Sequence, residues 1–220
     1  MPEPESKIQN RKSKIAVLLS GRGSNFLALQ TAIAAGHLPA EIVLVLSNMA
    51  EAPGLELARG LGLPAVAVPH QGEPSRRAHE EKVLAALREA GAEWICLAGY
   101  MRVLSPELVA AFPRRILNIH PSLLPAFPGL DPQEQALAHG VKVSGCTVHL
   151  VDEGLDSGPI VLQRTVEVLD EDTPEELAAR ILRQEHQAYP EALKRLLTEP
   201  WTVEGRRLLF APPSPSVNAG

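Results

Sequence analysis

The stretch KIAVLLSGRGSN, residues 14–25, carries five consecutive apolar residues, Ile15 to Leu19, into a turn with two glycines. A run this short and this wholly apolar suits a strand buried on both faces. NFLALQTAIAAG comes directly after it and reads as a helix that stops at Gly36, the residue type that closes helices in a left-handed turn. A buried strand passing through Gly21 and Gly23 into a helix is the opening unit of a parallel sheet covered on both sides. Backbone amides exposed at such a helix start can receive an anion. SGRGSN lacks the third glycine of a dinucleotide fingerprint and the lysine of a Walker loop, so a single phosphate on a small metabolite suits it better than a pyrophosphate. A plain strand-to-helix turn would have the same composition.

The same grammar repeats down the chain. EIVLVLSN (41–48), PAVAVP (64–69), WICLAGY (94–100) and RRILNIH (114–120) read as further strands. Between them, PGLELARGLG, SRRAHEEKVLAALREAG and SPELVAAF read as helices, the last with a Ser cap and a proline in its first turn. After Gly129 the pattern changes. VSGCTVHLVDEG and PIVLQRTVEVLDED have period-2 character and are expected to pair antiparallel across a turn from Gly154 to Pro159. Thr173-Pro174-Glu175-Glu176 has capping-box spacing and opens a helix of about 25 residues. The expectation is an α/β fold: a Rossmann-like, doubly wound, mostly parallel sheet with an antiparallel pair toward the C-terminus and a long C-terminal helix. One domain is expected over 14–210, with a phosphate-binding half (14–110) and a catalytic half (111–210). The polar or proline-rich ends, 1–13 and 211–220, are expected to be frayed.

With 45% hydrophobic and 21% charged residues among 220, the chain has a globular make-up. Aromatic residues are only 4%, too few for a nucleic-acid platform of stacked rings. The net charge is -5, and no basic stripe offers itself to nucleic acid or a membrane surface. No apolar run approaches the ~18 residues of a membrane span, and the opening MPEPESKIQNRKSK is polar, so a cytoplasmic protein is expected. Cys96 and Cys146 lie in apolar runs and read as buried free thiols. No histidine pair has the i, i+4 spacing of a helical metal site, and no metal is expected.

Two segments carry candidate chemistry. In NIHPSLLPAFPG (118–129), Asn118 and His120 leave an extended chain on the same side, roughly 6 to 7 Å apart. Pro121, Pro125 and Pro128 stiffen the backbone beyond them. In DEGLDSGP (152–159), Asp156 sits in a glycine-bounded turn; near His120 it would favour an imidazolium, whereas in a simple hairpin its carboxylate would only be solvated. His37, His70, His79 and His139 read as solvated, and His149 as a satisfied core histidine or a partner of the site.

SGRGSN, NIHPSLLPAFPG and DEGLDSGP, in that order and with Asp156 placed 36 residues after His120, resemble the phosphoribosylglycinamide formyltransferase family. The resemblance runs from about residue 14 to about 200; the second motif is shared with methionyl-tRNA formyltransferase and formyltetrahydrofolate deformylase. It implies formyl transfer from 10-formyltetrahydrofolate to glycinamide ribonucleotide, without a metal, by a monomer or homodimer. It implies catalysis by Asn118, His120 and Asp156. The ribotide phosphate would lie on Gly21, Gly23, Ser24 and Asn25, with Arg22 adding positive charge, and Glu185 would bind the ribose or glycinamide part. Met101, Val103 and Leu104 would line the pterin pocket, Arg102 would meet the glutamate tail, Arg76 would be a second folate-side arginine, and Val151 to Asp156 would touch the pterin from the loop side. Asp131 falls where the family commonly has histidine, and Tyr100 where it has phenylalanine. The tRNA-acting relative normally carries a further C-terminal domain and the deformylase an N-terminal one, so length favours the ribotide enzyme. A non-catalytic folate- or nucleotide-binding module on the same fold is the other class; the presence of Asn118, His120 and Asp156 together weighs against it.

Overall fold

The structure is a computed structural model that describes residues 12–211. The ends expected to fray fall largely on 1–11 and 212–220, outside the described residues, but Ser13 already belongs to the first strand.

The chain runs β1 (Ser13–Leu19), α1 (Ser24–Ala34), β2 (Ala40–Ser47), α2 (Pro53–Gly60), β3 (Ala65–Ala67), α3 (Arg76–Glu89), β4 (Trp94–Leu97), α4 (Pro106–Ala111) and β5 (Ile116–His120). It continues with α5 (Pro132–Ala138), β6 (Val143–Leu150), β7 (Ile160–Glu167), α6 (Pro174–Thr198), β8 (Trp201–Glu204) and β9 (Arg207–Phe210). One sheet joins all the strands in the order β3-β2-β1-β4-β5-β6-β7-β9-β8. β1 to β5 are mutually parallel, and β6 is antiparallel to both β5 and β7. The chain winds outward from β1 to β3, then crosses back to place β4 on the other side of β1. That reversal opens a crevice at the carboxyl ends of β1 and β4, where doubly wound sheets take their ligands.

Alternation along the strands splits the core in two. Ile15, Val17 and Leu19 pack with Phe26 and Leu29 of α1, Leu55 of α2 and Leu177, Ile181 and Tyr189 of α6. Ala16 and Leu18 face the other way, onto Val83 and Leu87 of α3 and Leu108 of α4. The long α6 opens with the expected capping box: Thr173 accepts from the Glu176 amide, and the Glu176 carboxylate accepts from the Thr173 amide. Tyr189, fully buried, donates its hydroxyl to the carbonyls of Leu97 (2.8 Å) and Leu117 (3.0 Å), which ties α6 to the last residue of β4 and the second residue of β5.

Some elements differ from the sequence expectation. β4 ends at Leu97 rather than at residue 100, and β3 is only three residues long. α5 and the β8–β9 hairpin have no counterpart among the elements expected from the sequence. The hairpin is held from α6: the indole of Trp201 donates to the Leu196 carbonyl at 3.0 Å, and the Arg195 guanidinium lies 3.7 Å over the Phe210 ring. His79 is 1% exposed rather than solvated, because the inner face of α3 carries it into the core, where Nε2 meets the Val68 carbonyl at 2.8 Å.

Candidate active site

β5 delivers Asn118 and His120 at its carboxyl end, and the segment after it is clamped from the neighbouring strands. Thr147 of β6, fully buried, donates its hydroxyl to the Ser122 carbonyl at 2.7 Å and accepts from the Leu124 amide at 3.0 Å. Gln163 of β7 donates to both the Leu124 carbonyl and the Thr147 hydroxyl at 2.9 Å. Ser122 donates to the Ala126 carbonyl at 2.6 Å. The prolines are therefore only part of the bracing; side chains from β6 and β7 supply the rest. The loop ends by turning the Phe127 carbonyl onto His120 Nε2 at 2.9 Å. A carbonyl can only accept, so that nitrogen carries the proton.

The β6–β7 turn brings Asp156 to the same place. Its Oδ2 lies 3.4 Å from His120 Nδ1 and accepts from the Gly129 amide at 2.9 Å, while Oδ1 lies 3.7 Å from His149 Nε2. The tight bend depends on Gly158, where a Cβ would stand 1.8 Å from the Leu150 carbonyl oxygen. Asp156 itself has a φ of +49°, a left-handed conformation that aspartate tolerates better than most residues. At 3.4 Å its contact with Nδ1 is longer than an ordinary N–H···O bond, which leaves Nδ1 as the ring atom able to engage a third group.

His149 joins the cluster as its fourth member. It stands opposite Asn118 in the β5–β6 register, beside an irregularity between Val148 and His149 where β6 meets β7. Its Nδ1 faces the Leu150 carbonyl at 3.0 Å and so bears the proton; Nε2 then accepts from Asn118 Nδ2 at 3.1 Å. This orients the Asn118 carboxamide, with its second N–H available to another acceptor. Burial, more than any other influence, lowers the His149 pKa below its ordinary 6.5, against the Leu150 carbonyl and Asp156, which raise it. A lowered value means that the stability gained from neutral His149 is fully present above pH 6.5 and is lost as the pH falls through the folded-state value. Nitrogen NMR of the imidazole should give a midpoint below 6.5, accompanied by an acid-side fall in unfolding free energy that His149→Gln lacks. A midpoint at or above 6.5 would remove His149 as the acceptor that orients Asn118.

At the start of α1, Gly23 has a φ of +78°, and a Cβ there would meet the Gly54 Cα at 3.0 Å, so this turn is built for glycine. Gly21 and Arg22 are exposed, Ser24 is half-buried, and Asn25 is buried. Asn25 Nδ2 donates to Glu185 Oε2 at 2.7 Å, which brings together two of the residues expected around the ribotide. Glu185 is 6% exposed, and its burial raises the carboxyl pKa, opposed by the bond from Asn25. Tyr189, one turn further along α6, fixes this helix to β5 beside Asn118.

The loop after β4 shows Met101 and Val103 to solvent at 69% and 55% exposure. Leu104, expected beside them, is instead packed into the core with Leu108 and Phe112, where it supports the loop from below. Arg102 is half-buried, its amide donating to the Tyr100 carbonyl at 2.9 Å, and burial pushes the Tyr100 phenol up to about 12. Arg76 donates through Nη2 to the Val103 carbonyl and through Nε to Glu80. Val151, half-buried, donates its amide to the Ile116 carbonyl at 2.9 Å. Cys96 and Cys146 are buried free thiols pushed up to about 12 by burial, which withholds the thiolate form that a nucleophile needs. Among the described residues no group of three or more His, Cys, Asp or Glu is arranged to hold a metal ion, and no helix is long and apolar enough to cross a membrane. A groove of about 750 Å³ between α1 and α6 is lined by Ser24, Thr31, His186 and Lys194, among others, and includes none of Asn118, His120 or Asp156.

The chain matches the formyl transferase family over residues 13–193. It is 42% identical over 184 residues to a phosphoribosylglycinamide formyltransferase of Bacillus subtilis, a match covering 84% of this chain and 94% of that one. It is 49% identical over 187 residues to the trifunctional purine biosynthetic protein adenosine-3 of Drosophila pseudoobscura pseudoobscura; that match takes in 84% of this chain and spans 14% of the relative's length. Among solved structures, glycinamide ribonucleotide transformylase 1 from Symbiobacterium toebii is 48% identical, with a TM-score of 0.89 over 92% of this chain and 95% of its own.

Proposed function

The chain belongs to the formyl transferase family, and on that footing we propose that it transfers the formyl group of 10-formyltetrahydrofolate to the amine of glycinamide ribonucleotide, a step of purine biosynthesis. The reading is supported by the likeness to the Bacillus subtilis enzyme over nearly its whole length. It is carried by one observation: a carboxamide and an imidazole from β5 and a carboxylate from the β6–β7 turn meet, through His149, at the carboxyl end of β5.

As the ribotide amine adds to the formyl carbon, negative charge grows on the formyl oxygen. Asn118 offers its second Nδ2–H and His120 its Nδ1–H to that oxygen, the kind of donor whose loss costs about 3 kcal/mol of barrier. Asp156, 3.4 Å from Nδ1, places its negative charge beside the donating ring. The same carboxylate can order a water that takes the proton from the amine, while a proton reaches N10 as the N10–carbon bond breaks. The α1 amides from Gly23 to Asn25 receive the ribotide phosphate, with Gly21 and Arg22 at its edge, and Glu185 receives its ribose or glycinamide portion. Met101 and Val103 form one wall of the pterin pocket, Leu104 backs it, Val151 to Asp156 form the other, and Arg102 and Arg76 meet the glutamate tail.

Purified protein mixed with both substrates should release tetrahydrofolate only when the ribotide is present. Release without ribotide would mark a deformylase, and no release would mark a binding module.

A further inference from the structure

Residues 98–105 join β4 to α4 without regular hydrogen bonding of their own, yet they hold two large apolar side chains out in water. Ala98 and Gly99 are still tied to Leu18 and Ser20 at the end of the first strand; beyond them, the backbone of residues 101–105 is fixed from outside at three points. The Met101 amide donates to Ser20 Oγ at 2.8 Å. The Val103 carbonyl accepts from Arg76 Nη2. The Ser105 amide donates to the Glu80 carboxylate, 3.0 Å from Oε1 and 3.3 Å from Oε2. Glu80 also accepts from Arg76 Nε at 3.2 Å, so two of the three fixings pass through one side chain.

Glu80 is 5% exposed on the inner face of α3, level with His79 and Val83. The helix itself has no use for a charge there; an apolar residue would pack without desolvating a carboxylate. What the carboxylate gains is a pair of donors, one on the loop and one on the arginine that grips the loop. Ser105 in turn caps α4 by accepting from the Leu108 amide at 3.2 Å, so Glu80 sets where the loop ends and where α4 begins.

We propose that Glu80 is a positioning residue for the folate side of the site, holding the 101–105 loop at the height where Met101 and Val103 form the pterin wall. This rests on the assignment of that loop to the folate under the proposed function. The placement of α3 makes the effect selective. α3 packs on one face of the sheet, whereas α1 and α6, which carry Asn25 and Glu185, pack on the other. A change at Glu80 therefore reaches the folate side without passing through the ribotide side.

Glu80→Gln keeps the shape but turns an amide N–H₂ toward one of the two donors. The dissociation constant of a folate analogue such as 5,8-dideazafolate, measured by calorimetry, should rise about 10- to 100-fold, the usual scale for losing a hydrogen bond to a charged group. In steady state, KM for 10-formyltetrahydrofolate should rise with it. KM for the ribotide and kcat at saturating donor should stay within about threefold. Glu80→Asp, which keeps the charge on a shorter stem, should recover part of the loss. An unchanged folate constant in folded Glu80→Gln overturns the proposal, as does an equal loss for both substrates together with a fall in melting temperature, which would mark a merely structural role. Wild-type protein that binds the analogue but turns nothing over would strike the proposed function and leave this inference standing. Wild-type protein that binds no folate would overturn both.

Discussion

His120→Ala is expected to lower kcat at least ~100-fold while the ribotide dissociation constant stays nearly as it was. The ring is 5% exposed and held from behind by the Phe127 carbonyl, so its Nδ1 edge is the part that can reach a reacting group. That edge matters when charge grows on the formyl oxygen and little before, which is why turnover falls and ground-state affinity does not. The deletion also leaves the Phe127 carbonyl without its donor, a cost of about 1–3 kcal/mol in stability, so the measurement is read on protein shown to be folded by its melting curve. Turnover at saturating substrates and calorimetry with the ribotide separate the two effects. A collapse of ribotide affinity would put His120 in a different subsite.

Asp156→Asn is the second large effect and the cleaner substitution. Asparagine tolerates the φ of +49° nearly as well as aspartate, so the turn keeps its shape, and one amide oxygen can still accept from the Gly129 amide. What disappears is the negative charge 3.4 Å from His120 Nδ1, and with it the charge partner of the donating ring and the acceptor for a proton-carrying water. A kcat lower by about 100-fold or more is expected, with a melting temperature close to wild type. Asp156→Ala would add the strain of a left-handed alanine, about 1–2 kcal/mol, and confuse the two. If Asp156→Asn kept more than about a third of wild-type turnover, the carboxylate would be a hinge of the turn and not a partner in the chemistry.

Much of this architecture is legible in the sequence alone. β1 to β5 are apolar runs of strand length separated by patterned helices, and short-range periodicity is enough to read them. The capping box of α6 and the apolar contexts of Cys96 and Cys146 are equally local. The elements that escape such a reading share a cause. α5 spans only seven residues, and its cap, Asp131, makes no side-chain bond to the helix, so neither periodicity nor capping announces it. β8 and β9 are four residues each and take their place from Trp201 and Arg195 packing at the end of α6. His79 reads as solvated, and Glu80 carries no sequence signal that marks it as buried; only the docking of α3 turns both inward. His149 reads equally as core or as site, because its partner, Asn118, lies 31 residues away across a strand pair.

The alternation of β1 to β5 with helices and the parallel first half follow from residues close together along the chain, since periodicity, caps and turn chemistry act over a few peptide units; Asn118, His120 and Asp156 stand out as a set only through the resemblance of their separate motifs to a family. The meeting of Asp156 with His120 and His149, the tautomer that orients Asn118, the joining of Asn25 to Glu185 and the hanging of the folate-side loop from Glu80 all span long separations. Their geometry comes from strand order, register and the direction in which a buried helix face points. Those are settled only when the whole core closes, because a hydrogen bond between distant residues exists only once packing has brought them within about three ångströms of each other.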